Sequence, residues 1–322
     1  MIARRLALFS ILLAGIGLLG CDTTATTPSS QIVVEAYLQA GAALPSVRLS
    51  RTVGANETYN PSAVAVRKAD VDVQRLAEDS TVEATVAYSE RDSVPGLYTP
   101  TEASIVESQH TYRLQVETND GTTLSATTTV PGPIEIVETE NDTTVYQSPD
   151  QPAFTVKLPP REGPQNVFTF TTTSLLDFEN TPDSTLRRSL TPFYADGFEP
   201  EDDSLESLRV ASSGLLNEGN FERNADETIT VTLPWLAIAF FGPNEIAINV
   251  VDDNYYDFLR SQQVQQGGFA PGEIPNVIEH VRGGTGIFGS YARAARPSVI
   301  QRPSRPGSRA TRAAPPHESS SP

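Results

Sequence analysis

The chain has 322 residues, one cysteine and a formal net charge of −17. Arg4 and Arg5 carry +2, and residues 292–322 carry a surplus of +5, which leaves about −24 on residues 22–291. A body that acidic repels nucleic acid and anionic headgroups, and a lone cysteine leaves no partner for an internal disulfide.

The first element is an export signal. MIARRLALFSILLAGIGLLGC has a basic start at Arg4 and Arg5, then an apolar run from Leu6 to Leu19. That run has the length of a signal-peptide core and is too short for a membrane span. It ends in Leu18-Leu19-Gly20-Cys21, the pattern of a lipobox, in which a cysteine thiol accepts a diacylglycerol and becomes the mature N-terminus. Residues 1–20 therefore read as a lipoprotein signal peptide and Cys21 as the lipidation site. The competing reading is an ordinary signal peptide with a cysteine there by chance. Residues 21–30, CDTTATTPSS, follow as the lipidated cysteine and a polar tether.

Residues 31–131 read as strands. QIVVEAYLQ, PSVRLSRT, ADVDVQRL, TVEATVAY, PGLYTP, TYRLQVET and TLSATTTV alternate apolar and polar side chains. Asn119-Asp120-Gly121 between the last two is a hairpin signal, because Asp-Gly adopts positive φ at low cost. Seven short strands in about 100 residues predict an immunoglobulin-like β-sandwich. Pro131-Gly132-Pro133 closes that unit, since prolines cannot continue a central strand.

Residues 132–291 predict a second β-rich unit, from PIEIVET through FTVKLP, NVFTFTTTSLLDF, SLRVASS and TITVTLP to EIAINVV. DGFEPEDDSLES, from Asp196, reads as a long acidic loop. DDNYYDFLRSQQVQQGG predicts one helix over residues 252–266, with Asp252 or Asp253 as N-cap and Gly267-Gly268 as the stop. Residues 292–322, rich in arginine, proline and serine, predict a disordered tail. The fold class is thus mainly β: two β-sandwich (immunoglobulin-like) units with one short helix.

GTGIFG, residues 284–289, matches G-x-G-x-x-G. A dinucleotide fingerprint also needs a strand before it, a helix after it and an acid about 20 residues on. None is present, so neither nucleotide nor nucleic acid is an expected partner. The segment reads instead as a final strand with bulges, with Ile287 and Phe288 on opposite faces.

The longer stretch around it carries a resemblance. Asn276, Gly283, Gly284, Gly286, Ile287, Phe288 and Gly289 resemble the closing segment of a family of Bacteroidetes-type outer-membrane lipoproteins known as domain of unknown function 4249. Residues 277–282 are longer than the corresponding stretch in that family. IVVEAYLQAG from Ile32, TTTVPGPIEIV from Thr127 and DNYYDFLRSQ from Asp253 are similar to it as well. The resemblance implies an envelope lipoprotein of the outer membrane, often found beside a TonB-dependent transporter. It implies no catalytic residues.

Candidate sites are few. His110, His280 and His317 lack metal-ligand spacing, and no G-x-S-x-G or H-E-x-x-H occurs. Asp196, Glu199, Glu201, Asp202 and Asp203 could offer oxygen ligands to Ca²⁺, against the plainer reading of a solvated acidic loop. Tyr255 and Tyr256 are candidate partner contacts, because adjacent helical residues cannot face one core and tyrosine is favoured at interfaces. LPWLAIAFFG, with Trp235, reads as core, and any exposed part of it as a docking patch. The expected function is a non-enzymatic accessory lipoprotein with no cofactor beyond the covalent lipid. It would be held to the membrane by that anchor and would bind a TonB-dependent transporter. The alternatives are a hydrolase acting on an extracellular or envelope polymer and a purely structural envelope protein.

Overall fold

A computed structural model describes residues 30–54, 57–160, 165–201, 203–266 and 278–303, so the signal segment, Cys21, Asp202 and Asn276 lie outside the described residues. The seven expected strands of the first unit form: β1 (Ile32–Gln39), β2 (Val47–Arg51), β3 (Asp70–Leu76), β4 (Val82–Glu90), β5 (Leu97–Pro100), β6 (Thr111–Glu117) and β7 (Thr123–Thr129). Alternation sets their faces. In β1, Ile32, Val34, Ala36 and Leu38 are buried while Val33, Glu35 and Tyr37 point the other way. The β6–β7 hairpin turns at Gly121, whose φ is +80° and whose N–H donates to the Thr118 carbonyl at 2.8 Å. Neighbours pair antiparallel in the order β7-β6-β3-β4-β5-β2-β1.

The second unit contains β8 (Glu135–Glu140), β9 (Thr143–Val145), β10 (Ala153–Lys157) and β11 (Val167–Ser174). Two short helices follow, α1 (Asp183–Arg188) and α2 (Pro192–Gly197). Then come β12 (Val210–Ser212), β13 (Leu216–Asn217), β14 (Ile229–Thr232), β15 (Gly242–Val251), α3 (Asp253–Gln266), β16 (Val281–Arg282) and β17 (Thr285–Gln301). A three-stranded sheet, β14-β10-β8, lies across the β12-β11-β15-β17 portion of the large sheet. Between them Phe154, Val156, Phe168, Phe170, Ile246 and Ile248 are fully buried. Each such side chain contributes roughly 1.5–3 kcal/mol relative to exposure.

One strand joins the units. The first half of β17 pairs parallel with β1, from Val33↔Thr285 to Gln39↔Tyr291. Its second half pairs antiparallel with β15, from Val251↔Tyr291 to Gly242↔Ile300. Phe288 packs in the first core and Ile300 in the second. The mainly β fold is as expected, and among the described residues the two units are linked through a continuous 14-stranded sheet. The first unit is also incomplete at residue 131, because β16 and β17 supply its last strand pairings.

Two expectations are corrected. Residues 292–301 belong to β17, not to a tail, and Ala292, Ser298 and Ile300 are buried along it. Small side chains at every second position let this arginine- and proline-containing stretch pair with β15, which composition alone does not reveal. Residues 304–322 lie outside the described residues. The helix over 253–266 is present, but α1 and α2 stand where only loop was expected.

Candidate binding surface

The glycine stretch is explained by packing. Gly286 has φ +106°, and a Cβ there would collide with the Val34 carbonyl oxygen. A Cβ on Gly284 would sit 2.5 Å from the Ile32 carbonyl oxygen. Glycine is required because the start of β17 lies against the β1 carbonyls at backbone distance. Ile287 and Phe288 are both buried: Phe288 in the first core, Ile287 on the opposite face beside Phe258 of α3.

The start of α3 is a buried polar corner. Asp252 caps the helix, with Oδ1 accepting from Tyr255 N–H at 3.0 Å and from Ser290 N–H at 3.0 Å. Its Oδ2 lies 2.5 Å from Thr128 Oγ1, which is 2.7 Å from Ser290 Oγ. Burial pushes the Asp252 carboxyl above the usual carboxylate range, while these hydrogen bonds pull the other way. Asn254 Nδ2 donates to the carbonyls of Thr127, at 2.7 Å, and Phe288, at 2.8 Å, tying α3 to β7 and β17.

Tyr255 faces inward. Its ring lies 5.0 Å from that of Tyr37 and 6.2 Å from that of Tyr291. Burial raises all three phenol pKa values, so the rings are neutral packing groups at ordinary pH. Tyr256 is half-buried one position on. Both tyrosines are partly buried, and Tyr255 also packs at the seam between α3 and the sheet.

The acidic candidates do not converge. Asp203 Oδ2 accepts from Glu199 N–H at 2.8 Å, which closes a local turn, and Asp196 lies on α2. Among the described residues, no group of three or more His, Cys, Asp or Glu side chains is arranged to hold a metal. His280 Nε2 lies 2.7 Å from Asp257 Oδ2, and Ser261 lines the same small cavity of about 170 Å³. Ser261 Oγ donates to the Asp257 carbonyl at 2.7 Å, so its proton is engaged by the helix backbone rather than by the imidazole. The trio ties α3 to the segment before β16.

An open groove lies in the insertion between β11 and β12, part of which, from Asp196, reads in the sequence as an acidic loop. Leu186, Leu190, Leu205 and Phe240 form a small core there. Phe178 stands edge-on to Phe240 at 5.3 Å. A groove of about 790 Å³ runs between α1 and residues 198–206. Phe178, Leu186, Phe198 and Leu205 give it an apolar floor, and Asp183, Arg187, Arg188, Asp203 and Glu206 a charged rim. The signal that was missed is the spacing Leu186–Leu190 together with Pro192 at the first turn of α2. Dense charge on either side hid it.

Beside the groove, apolar side chains stand in solvent. Phe193 is 64% exposed, Val210 54% and Leu236 49%. Tyr194 Oη donates to the Leu236 carbonyl at 2.9 Å, which brings α2 to the turn over residues 235–237. β12, with Val210, packs against that turn. The turn faces Trp235 inward onto Tyr146, with ring centroids 5.2 Å apart, and buries Ala237, so Leu236 points out. LPWLAIAFFG is therefore core except at Leu236.

These features define a mainly β protein of two units fused through one long strand, with a small helical insertion carrying its open surface. The chain belongs to the family of domain of unknown function DUF4249, whose model matches residues 21–296. No curated protein matches it. Among solved structures it is similar to trypsin-activated alpha-2-macroglobulin from Escherichia coli, with 9% identity over 69% of this chain and a TM-score of 0.20. It is similar also to Escherichia coli alpha-2-macroglobulin activated by porcine elastase, with 9% identity over 85% of this chain and a TM-score of 0.20. The chain spans only 14% and 20% of those two proteins.

Proposed function

We propose that this protein is a non-enzymatic outer-membrane lipoprotein, anchored through Cys21, that binds a TonB-dependent transporter and helps it capture or retain a substrate. The observation that carries the reading is that Phe193, Val210 and Leu236 are all exposed on three elements that meet one another, α2 and β12 each packing against the turn that carries Leu236. Contiguous apolar surface left in water is costly and marks docking sites. These residues come from three short elements, α2, β12 and the turn over residues 235–237, none of them part of the β17 seam that joins the units. A lipid anchor confines the chain to a membrane surface and raises its effective concentration near any partner there.

A photo-reactive residue placed at Leu236 tests this in intact cells. The expected result is a cross-link to a β-barrel transporter that is lost on changing Phe193→Asp. If no transporter is captured while the purified protein cleaves an envelope polymer, the hydrolase reading replaces this one.

A further inference from the structure

We propose that residues 304–322 of this same chain occupy the groove between α1 and residues 198–206. The first observation is where β17 delivers the chain. The Arg302 guanidinium donates to the carbonyl oxygen of Arg188, the last residue of α1, and lies 4.6 Å over the ring of Phe241. Arg188 is itself a wall of the groove. Pro303 therefore leaves the described residues at one end of an open channel. The 19 residues after it can reach roughly 60 Å when extended, so length does not limit the contact.

The second observation is complementary charge. Residues 196–206 contain six acids and no base. Residues 304–322 contain Arg305, Arg309 and Arg312 against the single acid Glu318. At the groove, Asp183 and Asp203 form no ion pair among the described residues, and Glu206 has only an exposed pairing with Arg209 at 3.2 Å. The groove's own cations are not paired with its acids among the described residues: Arg187 lies over the Phe198 ring, and Arg188 donates to Thr185 Oγ1 at 3.0 Å. The far wall, with Asp203 and Glu206, is left to an incoming cation.

Arginine suits this groove twice over. Its guanidinium can bind a carboxylate through two hydrogen bonds, and its methylene stem covers apolar floor such as Leu205. Pro306, Ala310 and Ala313 between the arginines are small enough to lie on that floor. Because the segment is tethered, its effective concentration is on the order of millimolar, so contacts too weak for free peptides suffice. The groove is thus occupied by the chain's own segment until something displaces it.

The test uses a fluorescent peptide with the sequence of residues 304–322. It should bind a chain ended after Pro303 and bind the full chain about tenfold or more weakly, because the tethered copy competes. Raising salt from roughly 0.05 M to roughly 0.5 M should remove the binding. Asp203→Asn with Glu206→Gln should weaken it in the shortened chain. A full-length R305E/R309E/R312E variant should accept the peptide as the shortened chain does, and it carries the test should the shortened chain fail to fold. Equal binding to the full and shortened chains, binding that ignores salt, or no binding to a folded open groove would overturn the proposal.

Discussion

Asp252 and Ser290 hold each other twice: Ser290 N–H donates to Asp252 Oδ1 at 3.0 Å, and Asp252 N–H donates to the Ser290 carbonyl at 3.0 Å. Ser290 lies in the half of β17 that pairs with β1, and Asp252 follows β15. With Thr128 of β7 beside them, the corner closes the first unit against the second. A buried carboxyl at such a joint has consequences for stability.

The first prediction concerns pH. Burial raises the folded-state pKa of Asp252 above its unfolded value of about 4. The folded state then binds more protons than the unfolded state across that window, so stability falls as pH rises through it. The contribution is fully present below the unfolded pKa and lost above the folded one. Hydrogen bonds lower the carboxyl pKa values of Asp79, Asp120, Asp177 and Asp226 and give the opposite trend, so the reading is the difference between proteins. Across mildly acid pH the urea midpoint of the wild type should fall relative to that of Asp252→Asn as pH rises. An identical pH profile in both proteins would show that Asp252 does not titrate as described.

Asn254 should be a stability residue rather than a binding one. Asn254→Leu leaves the carbonyls of Thr127 and Phe288 buried without their donor. The expected loss is about 2–4 kcal/mol, read as a lower denaturant midpoint at unchanged slope. A change under about 0.5 kcal/mol would mean that the joint does not need the side chain.

How legible was this in the sequence? The strands of the first unit were, because Ile32, Val34, Ala36 and Leu38 alternate with polar neighbours and Asp120-Gly121 marks the hairpin. The family resemblance was also readable, in part from residues 276–289. The path of β17 was not. Its pairing with both β1 and β15 is a long-range choice, and Arg293, Arg296 and Pro297 disguise the alternation of Ala292, Ala294, Ser298 and Ile300. The ring contacts of Tyr255 were not legible either. Helical spacing alone does not say that Tyr37 and Tyr291 flank it on both sides. The groove was hidden because its floor residues, Phe178, Leu186, Phe198 and Leu205, are spread over a stretch whose charge reads as loop.

Gly286 gives a sharper test of the seam. Gly286→Ala must accept φ near +106° and a Cβ against the Val34 carbonyl, where nothing flexible can move aside. The expected destabilisation is at least about 2 kcal/mol. Gly121→Ala has the positive φ but open space around it, so it should cost less, about 1 kcal/mol. Thermal melts of the two variants side by side separate backbone strain from collision. Equal shifts would mean that the close approach of β17 to β1 does not matter.

The remaining prediction is lipidation of Cys21. It is the only thiol in the chain and follows Leu18-Leu19-Gly20 at the end of an apolar run. A serine hydroxyl cannot form the thioether that the lipobox reading requires, so Cys21→Ser removes the only acceptor. Each buried methylene adds about 0.8 kcal/mol, so two or three acyl chains hold a protein at a membrane where one holds it marginally. Cells fed a labelled fatty acid should therefore mark the wild type and not the variant, and the variant should leave the membrane fraction. Because Cys21 precedes the tether and β1 begins only at Ile32, the purified variant should melt at the same temperature as wild type. Equal labelling of both proteins would refute the anchor. Loss of label with retention at the membrane would instead show that contacts made by the folded body suffice to hold it there.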